Sequence, residues 1–147
     1  MGRILITPRS LTKAGHPALD ALRNAGHELV FCRPGETPDE EDLLRLLPGC
    51  VGYLAGVERV TARLLEAAKG LKVVSRNGVG IDNVDLEAAC RLGILVLPAP
   101  GANARGVAEL TIGLILALVR SIPWSDGALK GGQWKRRKGI EVLDRRL

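Results

Sequence analysis

A chain of 147 residues that is 46% apolar can build one domain with a substantial core, which excludes a wholly disordered segment. Aromatic residues make up only 3%, so the core is expected to be aliphatic, and few rings are left on which the bases of a single strand would stack. The net charge of +5 is confined to the tail, since Lys130 to Leu147 holds seven basic residues against two acidic ones, while the first 129 residues balance; neither a nucleic-acid nor a membrane partner is expected.

The chain opens on a short apolar strand, Ile4-Leu5-Ile6, stopped by Thr7-Pro8-Arg9-Ser10. Pro17 to Ala25 reads as a helix, with proline in its first turn and Gly26 as its stop. Glu28 to Cys32 is the second strand. Asp39 to Leu47 is a helix whose acidic residues gather at its positive end, and Pro48-Gly49 closes it. Cys50 to Leu54 forms the third strand, and Thr61 caps a helix running to Lys69. Leu71 to Val74 is the fourth strand, Leu86 to Arg91 a short helix, and Ile94 to Leu97 the fifth strand. Five strands alternating with four helices predict an α/β fold: a flavodoxin-like parallel sheet, order 2-1-3-4-5, with helices on both faces.

Beyond Leu97 the pattern changes. Pro98-Ala99-Pro100-Gly101 is a joint, and Asn103 is placed to cap a long apolar helix reaching Ile122, where Pro123 ends it. Val107, Leu110, Leu114, Ile115 and Leu118 cover more than one side, so broad burial is expected, against the sheet or against another subunit. Trp124 to Lys130 suits one more short helix. The division expected is a lobe over 1–97, a crossover segment with its helix over 98–130, and a basic tail over 131–147.

Cys32, Cys50 and Cys90 form no CxxC pair, so reduced thiols are expected, and His16 and His27 sit at element edges without acidic partners at metal spacing. No metal is expected. Met1-Gly2-Arg3-Ile4 enters a strand without a signal peptide, and the longest apolar run, Leu110 to Val119, is short for a bilayer. A cytoplasmic protein is the expectation.

The stretch Val73 to Asp85 carries the chemistry. A strand delivers a loop with Gly78 and Gly80, and Asp82-Asn83-Val84-Asp85 then opens a helix. Glycines there allow close approach of a ligand or a tight turn, and successive N–H groups near a helix start receive a carboxylate or phosphate. A plain strand-to-helix turn that binds nothing has the same pattern, and short glycine motifs recur by chance.

Longer segments are more specific. Arg76-Asn77-Gly78-Val79-Gly80-Ile81-Asp82-Asn83-Val84-Asp85 resembles the substrate loop of the D-isomer-specific 2-hydroxyacid dehydrogenase family. Pro100 to Leu110 resembles the segment that crosses into the cofactor domain of those enzymes. Leu86 to Ile94 and Lys130-Gly131-Gly132-Gln133-Trp134 are similar to the same family, nearest its phosphoglycerate dehydrogenase branch.

The resemblance implies an oxidoreductase that moves hydride between NAD(H) and a small 2-hydroxy or 2-oxo acid. It implies that Arg76, Asn77, Gly78, Val79 and Gly80 surround the substrate carboxylate, with the N–H groups of Val79 and Gly80 as donors. Val79 and Asn103 would lie on the cofactor side. In the family a GxGxxG strand of the Rossmann fold follows a segment like Glu141 to Leu147, and the catalytic arginine, glutamate and histidine lie further on. The 147 residues are therefore expected to be a substrate-binding lobe, truncated before the Rossmann core, that binds NAD weakly at best and is inactive alone. The helix over 103–122 is expected either to fold back or to form a homodimer. Ala55-Gly56 stand where many phosphoglycerate dehydrogenases carry Arg-Ser, which weakens the case for a phosphorylated substrate and leaves glyoxylate- or hydroxypyruvate-type acids open. A non-catalytic binding module or a structural half-domain is the alternative.

Overall fold

The computed structural model describes residues 1–142. Its strands are β1 (Arg3–Ile6), β2 (Glu28–Phe31), β3 (Cys50–Ala55), β4 (Val73–Arg76) and β5 (Leu95–Leu97). Around them run α1 (Arg9–Ala14), α2 (Ala18–Asn24), α3 (Glu40–Leu46), α4 (Ala62–Ala67) and α5 (Leu86–Arg91), followed by α6 (Ala104–Val119) and α7 (Ile122–Lys130). The five strands are all parallel in the order β2-β1-β3-β4-β5, the flavodoxin-like order expected. Five helices, not four, accompany the sheet. The addition is α1, which holds one large apolar residue, Leu11, and has no side-chain N-cap.

Register decides what each face buries. Val30, Leu5, Tyr53, Val74 and Val96 pair across all five strands and form one row. They pack with Leu43, Leu47, Leu64, Leu65, Ala88 and Ala89 of α3, α4 and α5 and the turn after α3. Full burial of each leucine contributes about 1.5–3 kcal/mol before entropy is subtracted. The chain's single tyrosine lies at the centre of this row with 1% of its surface exposed, so the core is not purely aliphatic. The next row, Phe31, Ile6, Leu54, Ser75 and Leu97, points to the opposite face. Ile6 is fully buried there and α2 inserts Leu19, but Leu95 and Leu97 on the edge strand are 57% and 44% exposed.

The helices start where their caps dictate. Asp39, Thr61 and Asp85 each accept a hydrogen bond from the backbone N–H three residues on, at 2.8, 3.3 and 2.9 Å. Gly70, at φ +92°, takes the left-handed conformation that lets the chain leave α4 for β4. Strand β4 begins two residues later than expected, because Leu71 is buried in the turn and Lys72 N–H bonds the Val51 carbonyl. Arg76 therefore belongs to the strand, not to the loop.

The chain divides into two compact units, Met1–Ala102 and Asn103–Leu147. In the second, α6 ends at Val119, short of Ile122, and Ser121 takes a left-handed φ of 53°. Pro123 starts α7 and does not terminate α6, because proline is tolerated in a first turn. Asn103 occupies the position before α6 but makes no side-chain cap bond; at φ −111° and ψ 5° its backbone is outside the extended geometry that aims a capping side chain. Within its own unit none of the residues of α6 is buried; it packs there with α7 and with the segment whose Ile140 N–H bonds the Val119 carbonyl. Residues 131–142 of the basic tail are neither helix nor strand, and 143–147 lie outside the described residues. Among the described residues no single helix is long and apolar enough to cross a membrane; α6 and α7 reach that length only as a pair bent by 64°.

Candidate functional site

The carboxyl ends of parallel strands collect the loops that leave the sheet, and ligands of such sheets bind there. Two of these loops meet at β3 and β4. The second runs from Asn77 to Asp85, and its start is set by the register: Asn77 N–H donates to the Ala55 carbonyl at 2.9 Å, extending the β3–β4 ladder by one bond.

Arg76 faces the core side beside Ala55, with which it pairs. Its side chain is only 9% exposed, so it is no surface charge. Nη1 donates to the Ala55 carbonyl at 3.2 Å, and Nε donates to the Gly80 carbonyl at 3.0 Å. Among the described residues no acid lies within 4.0 Å of it. Arg76 thus pulls the loop back over itself and leaves a buried positive charge beneath Gly78 to Gly80. The Gly78 carbonyl is fixed as well, by Ala99 N–H at 2.9 Å.

The donors of the same loop are treated differently. Among the described residues the N–H groups of Gly78, Val79 and Gly80 donate to no protein acceptor. Asn77, Val79 and Gly80 are exposed and Gly78 half-buried, so the loop itself is open to solvent. Free N–H groups beside a buried guanidinium suit a carboxylate, while the exposed Asp82 carboxylate stands next to Gly80 on the same loop. Beside Asn77 lies a cleft of about 520 Å³ walled by Leu54, Ser10, Leu11, His16, Leu19 and Leu22.

The expected helix start does not reach this loop, and its glycines serve no left-handed turn. Neither Gly78 nor Gly80 adopts a positive φ, so neither is required for a left-handed turn. A Cβ on Gly78 would rest at an ordinary 3.5 Å from Arg76 Nη2, whereas one on Gly80 would stand 2.7 Å from Asp82 Oδ1. Nor does a helix start contribute. Helix α5 begins six residues after Gly80, and Asp85 already caps its N-terminus. Asn103 belongs to the second unit, whereas Arg76, Asn77, Gly78, Val79 and Gly80 stand together in the first.

The loop after β3 holds a group that the sequence did not single out. Glu58 is 6% exposed, and its Oε1 accepts hydrogen bonds from Thr7 Oγ1, from Tyr53 OH at 2.6 Å and from Gly56 N–H at 2.9 Å. Burial first, and the Glu58 charge second, hold the Tyr53 phenol well above its ordinary value; the same two causes raise the Cys32 thiol. Asn83 Nδ2 donates to the Glu58 carbonyl at 2.6 Å and so ties the two loops together, while its Oδ1 is buried without a partner among the described residues. A glutamate between a strand and a helix reads as solvated. The only hint was that it is the sole acid from Leu54 to Ala62.

Comparison with known proteins gives a consistent result. Residues 5–141 match the family described as D-isomer specific 2-hydroxyacid dehydrogenase, catalytic domain. Pig D-3-phosphoglycerate dehydrogenase is 47% identical over 120 residues, covering 81% of this chain and 22% of that enzyme. The hydroxypyruvate reductase of Thermotoga maritima is 40% identical over 112 residues, 74% of this chain and 37% of the reductase. The NAD+-bound 3-phosphoglycerate dehydrogenase of Entamoeba histolytica superposes with a TM-score of 0.75 at 28% identity, covering 97% of this chain and 44% of that one. The chain thus spans about a fifth of the pig enzyme and under half of the amoebic one.

Proposed function

The chain belongs to the D-isomer specific 2-hydroxyacid dehydrogenase family, and from that premise we propose that it serves as the substrate-binding lobe of an NAD-dependent enzyme of this kind. Its loop at Asn77 to Gly80 receives the carboxylate of a small 2-hydroxy or 2-oxo acid. The single observation that carries the reading is that, among the described residues, the N–H groups of Gly78, Val79 and Gly80 find no protein acceptor beside the buried guanidinium of Arg76.

Each residue has a distinct part. Val79 and Gly80 donate main-chain hydrogen bonds to the carboxylate, and Arg76 supplies charge from below while keeping the loop folded over it. Asn77, at the mouth of the cleft, orients the substituent on C2. With Ala55 and Gly56 uncharged, small unphosphorylated acids such as glyoxylate and hydroxypyruvate are the substrates we assign. NAD, when bound, supplies the hydride chemistry. Val79, 43% exposed, is a flat apolar contact suited to a nicotinamide ring, and Asn103 is assigned to the same cofactor side. The 147 residues contain no GxGxxG, and alignment lowers a barrier only if both reactants are held. We therefore expect the chain by itself to bind the acid weakly and to turn over no NADH. A homodimer through α6 is proposed for the exposed stripe Leu110, Leu114 and Leu118, and sedimentation over a concentration series tests it.

The decisive experiment is a glyoxylate titration of the 147-residue chain followed by amide NMR. Shifts focused on Gly78, Val79 and Gly80, absent in Arg76→Met, are the expected result. Unmoved loop amides at saturating millimolar glyoxylate would sink the proposal.

A further inference from the structure

We infer that Glu58 is the positioning residue of the anion-binding loop, acting through the peptide group between Ala55 and Gly56. The inference rests on the loop at Asn77 to Gly80 being the binding element proposed above.

The peptide plane that joins Ala55 to Gly56 is held from both sides. Its N–H points to Glu58 Oε1 at 2.9 Å. Its C=O accepts from Arg76 Nη1 at 3.2 Å and from Asn77 N–H at 2.9 Å. A carboxylate at the positive end of a peptide dipole and a guanidinium at the negative end polarise it in the same sense, so each bond strengthens the other. Two buried side chains of opposite charge, Glu58 and Arg76, are coupled through one peptide without touching. Arg76 then carries the restraint onward to the Gly80 carbonyl.

Glu58 is itself anchored. Thr7 at the end of β1 and Tyr53 within β3 both donate to the same Oε1, and Thr7 Oγ1 takes a second, longer bond at 3.2 Å from Gly56 N–H. Its backbone is fastened to the far end of the loop, since Asn83 Nδ2 bonds the Glu58 carbonyl and Val60 N–H bonds the Asn83 carbonyl at 2.8 Å. The loop from 77 to 85 is therefore gripped at Asn77 and Gly80 through the peptide and at Asn83 directly. Gly56 shows how tight this fit is: a Cβ there would stand 2.8 Å from Glu58 Oε2 and 3.3 Å from Pro8 Cα. A core whose only task was stability would be served by an apolar residue at 58, because a buried carboxylate must be fully hydrogen-bonded to be tolerated.

The test compares Glu58→Gln, Glu58→Ala and Glu58→Asp in the 147-residue chain. Gln keeps an acceptor opposite Gly56 N–H, Ala removes it, and Asp keeps the charge but withdraws it by one methylene. Hydrogen exchange at Asn77 N–H and Arg76 Nε–H should accelerate by about tenfold or more in the Ala and Asp variants and by less in Gln, which keeps the acceptor but loses the charge. Glyoxylate affinity should fall in the same order. Tyr53→Phe, which removes a donor to Glu58 but leaves the Gly56 link, should lower stability and leave loop exchange unchanged. The inference is overturned if the folded Ala or Asp variants keep wild-type exchange at Asn77 and Arg76. It is equally overturned if both variants fail to fold while Gln folds, because the carboxylate would then be holding the whole sheet. Absence of glyoxylate binding by the wild type would defeat the functional reading alone, since loop exchange reads the positioning without a ligand.

Discussion

The two loops that leave the adjoining strands β3 and β4 solve opposite problems. After β3, the polar groups turn inward: Tyr53 OH, Thr7 Oγ1 and Gly56 N–H all close on Oε1 of the buried Glu58. After β4, the Gly78 and Gly80 carbonyls are tied down, but among the described residues three successive N–H groups have no protein acceptor. A satisfied network rigidifies and has nothing left to offer a ligand, whereas open donors contribute little to stability and are free to bind. Stability and recognition thus lie on neighbouring loops, joined by one peptide and by Asn83.

The largest expected effect breaks the rigid side. Tyr53→Ala empties the middle of the row that spans all five strands and leaves Glu58 without one donor, for a loss of about 3–5 kcal/mol. Thermal or denaturant unfolding measures it, and a loss below about 1 kcal/mol would show that the centre of the sheet collapses around the gap. Val79→Ala is the counterpart on the open side. It should change stability by less than about 0.5 kcal/mol.

Arg76→Met comes next, because Arg76 touches both loops. It leaves the Ala55 carbonyl with one donor instead of two, frees the Gly80 carbonyl and removes the positive charge, at a cost of about 1–3 kcal/mol. Unlike Tyr53→Ala, it should abolish glyoxylate binding in the molecules that remain folded. If stability falls and binding survives, Arg76 is a brace only.

Alkaline pH separates the two loops by charge. Burial and the Glu58 charge raise the Tyr53 pKa above its ordinary value of 10.0. Below that ordinary value the contribution is complete. As pH rises past it, the unfolded chain loses the phenolic proton first, and stability falls by up to about 1.4 kcal/mol per pH unit until the folded group titrates. Cys32 and Cys50, also raised by burial, add a decline in the same direction that begins nearer 9.0. Tyr53→Phe should therefore be less stable than wild type near neutrality, by about 1 kcal/mol, and lose stability less steeply above pH 10. Parallel curves for the two proteins would mean that the phenol is not protected by its surroundings.

How much of this was legible follows from what each residue has to satisfy. The strands and most of the helices could be read because apolar spacing, Thr61, Asp85 and the glycine stops act locally, and right-handed crossovers leave few sheet orders to choose among. Helix α1 was missed because Leu11 is its one large apolar residue and its start lacks a cap. The end of α6 was displaced because Pro123 signals a stop and a first turn equally well. The loop from Asn77 to Gly80 stood out by its glycines, which the sequence tied to a tight turn or close approach of a ligand; the turn does not use a positive φ at either. Glu58 was invisible. Its burial depends on Thr7, 51 residues away in sequence, and long-range pairing of that kind leaves no local pattern.

The smallest and sharpest comparison is between the two glycines themselves. If they served a turn, alanine at either position would cost similar strain. With φ negative at both, only the surroundings of the new Cβ matter. At Gly78 it would meet Arg76 Nη2 at 3.5 Å, an ordinary contact, so Gly78→Ala should leave stability within about 0.5 kcal/mol of wild type. At Gly80 it would press on Asp82 Oδ1 at 2.7 Å. Asp82 is exposed and swings aside at little cost, so stability again changes by less than about 1 kcal/mol. The displaced carboxylate, however, remains beside the donors of Val79 and Gly80, where its negative charge opposes an incoming anion. Gly80→Ala should therefore weaken glyoxylate binding several-fold more than Gly78→Ala, and Asp82→Asn in the Gly80→Ala background should restore most of the loss. Equal weakening by the two single variants would place the anion off the Val79–Gly80 donors and closer to Gly78.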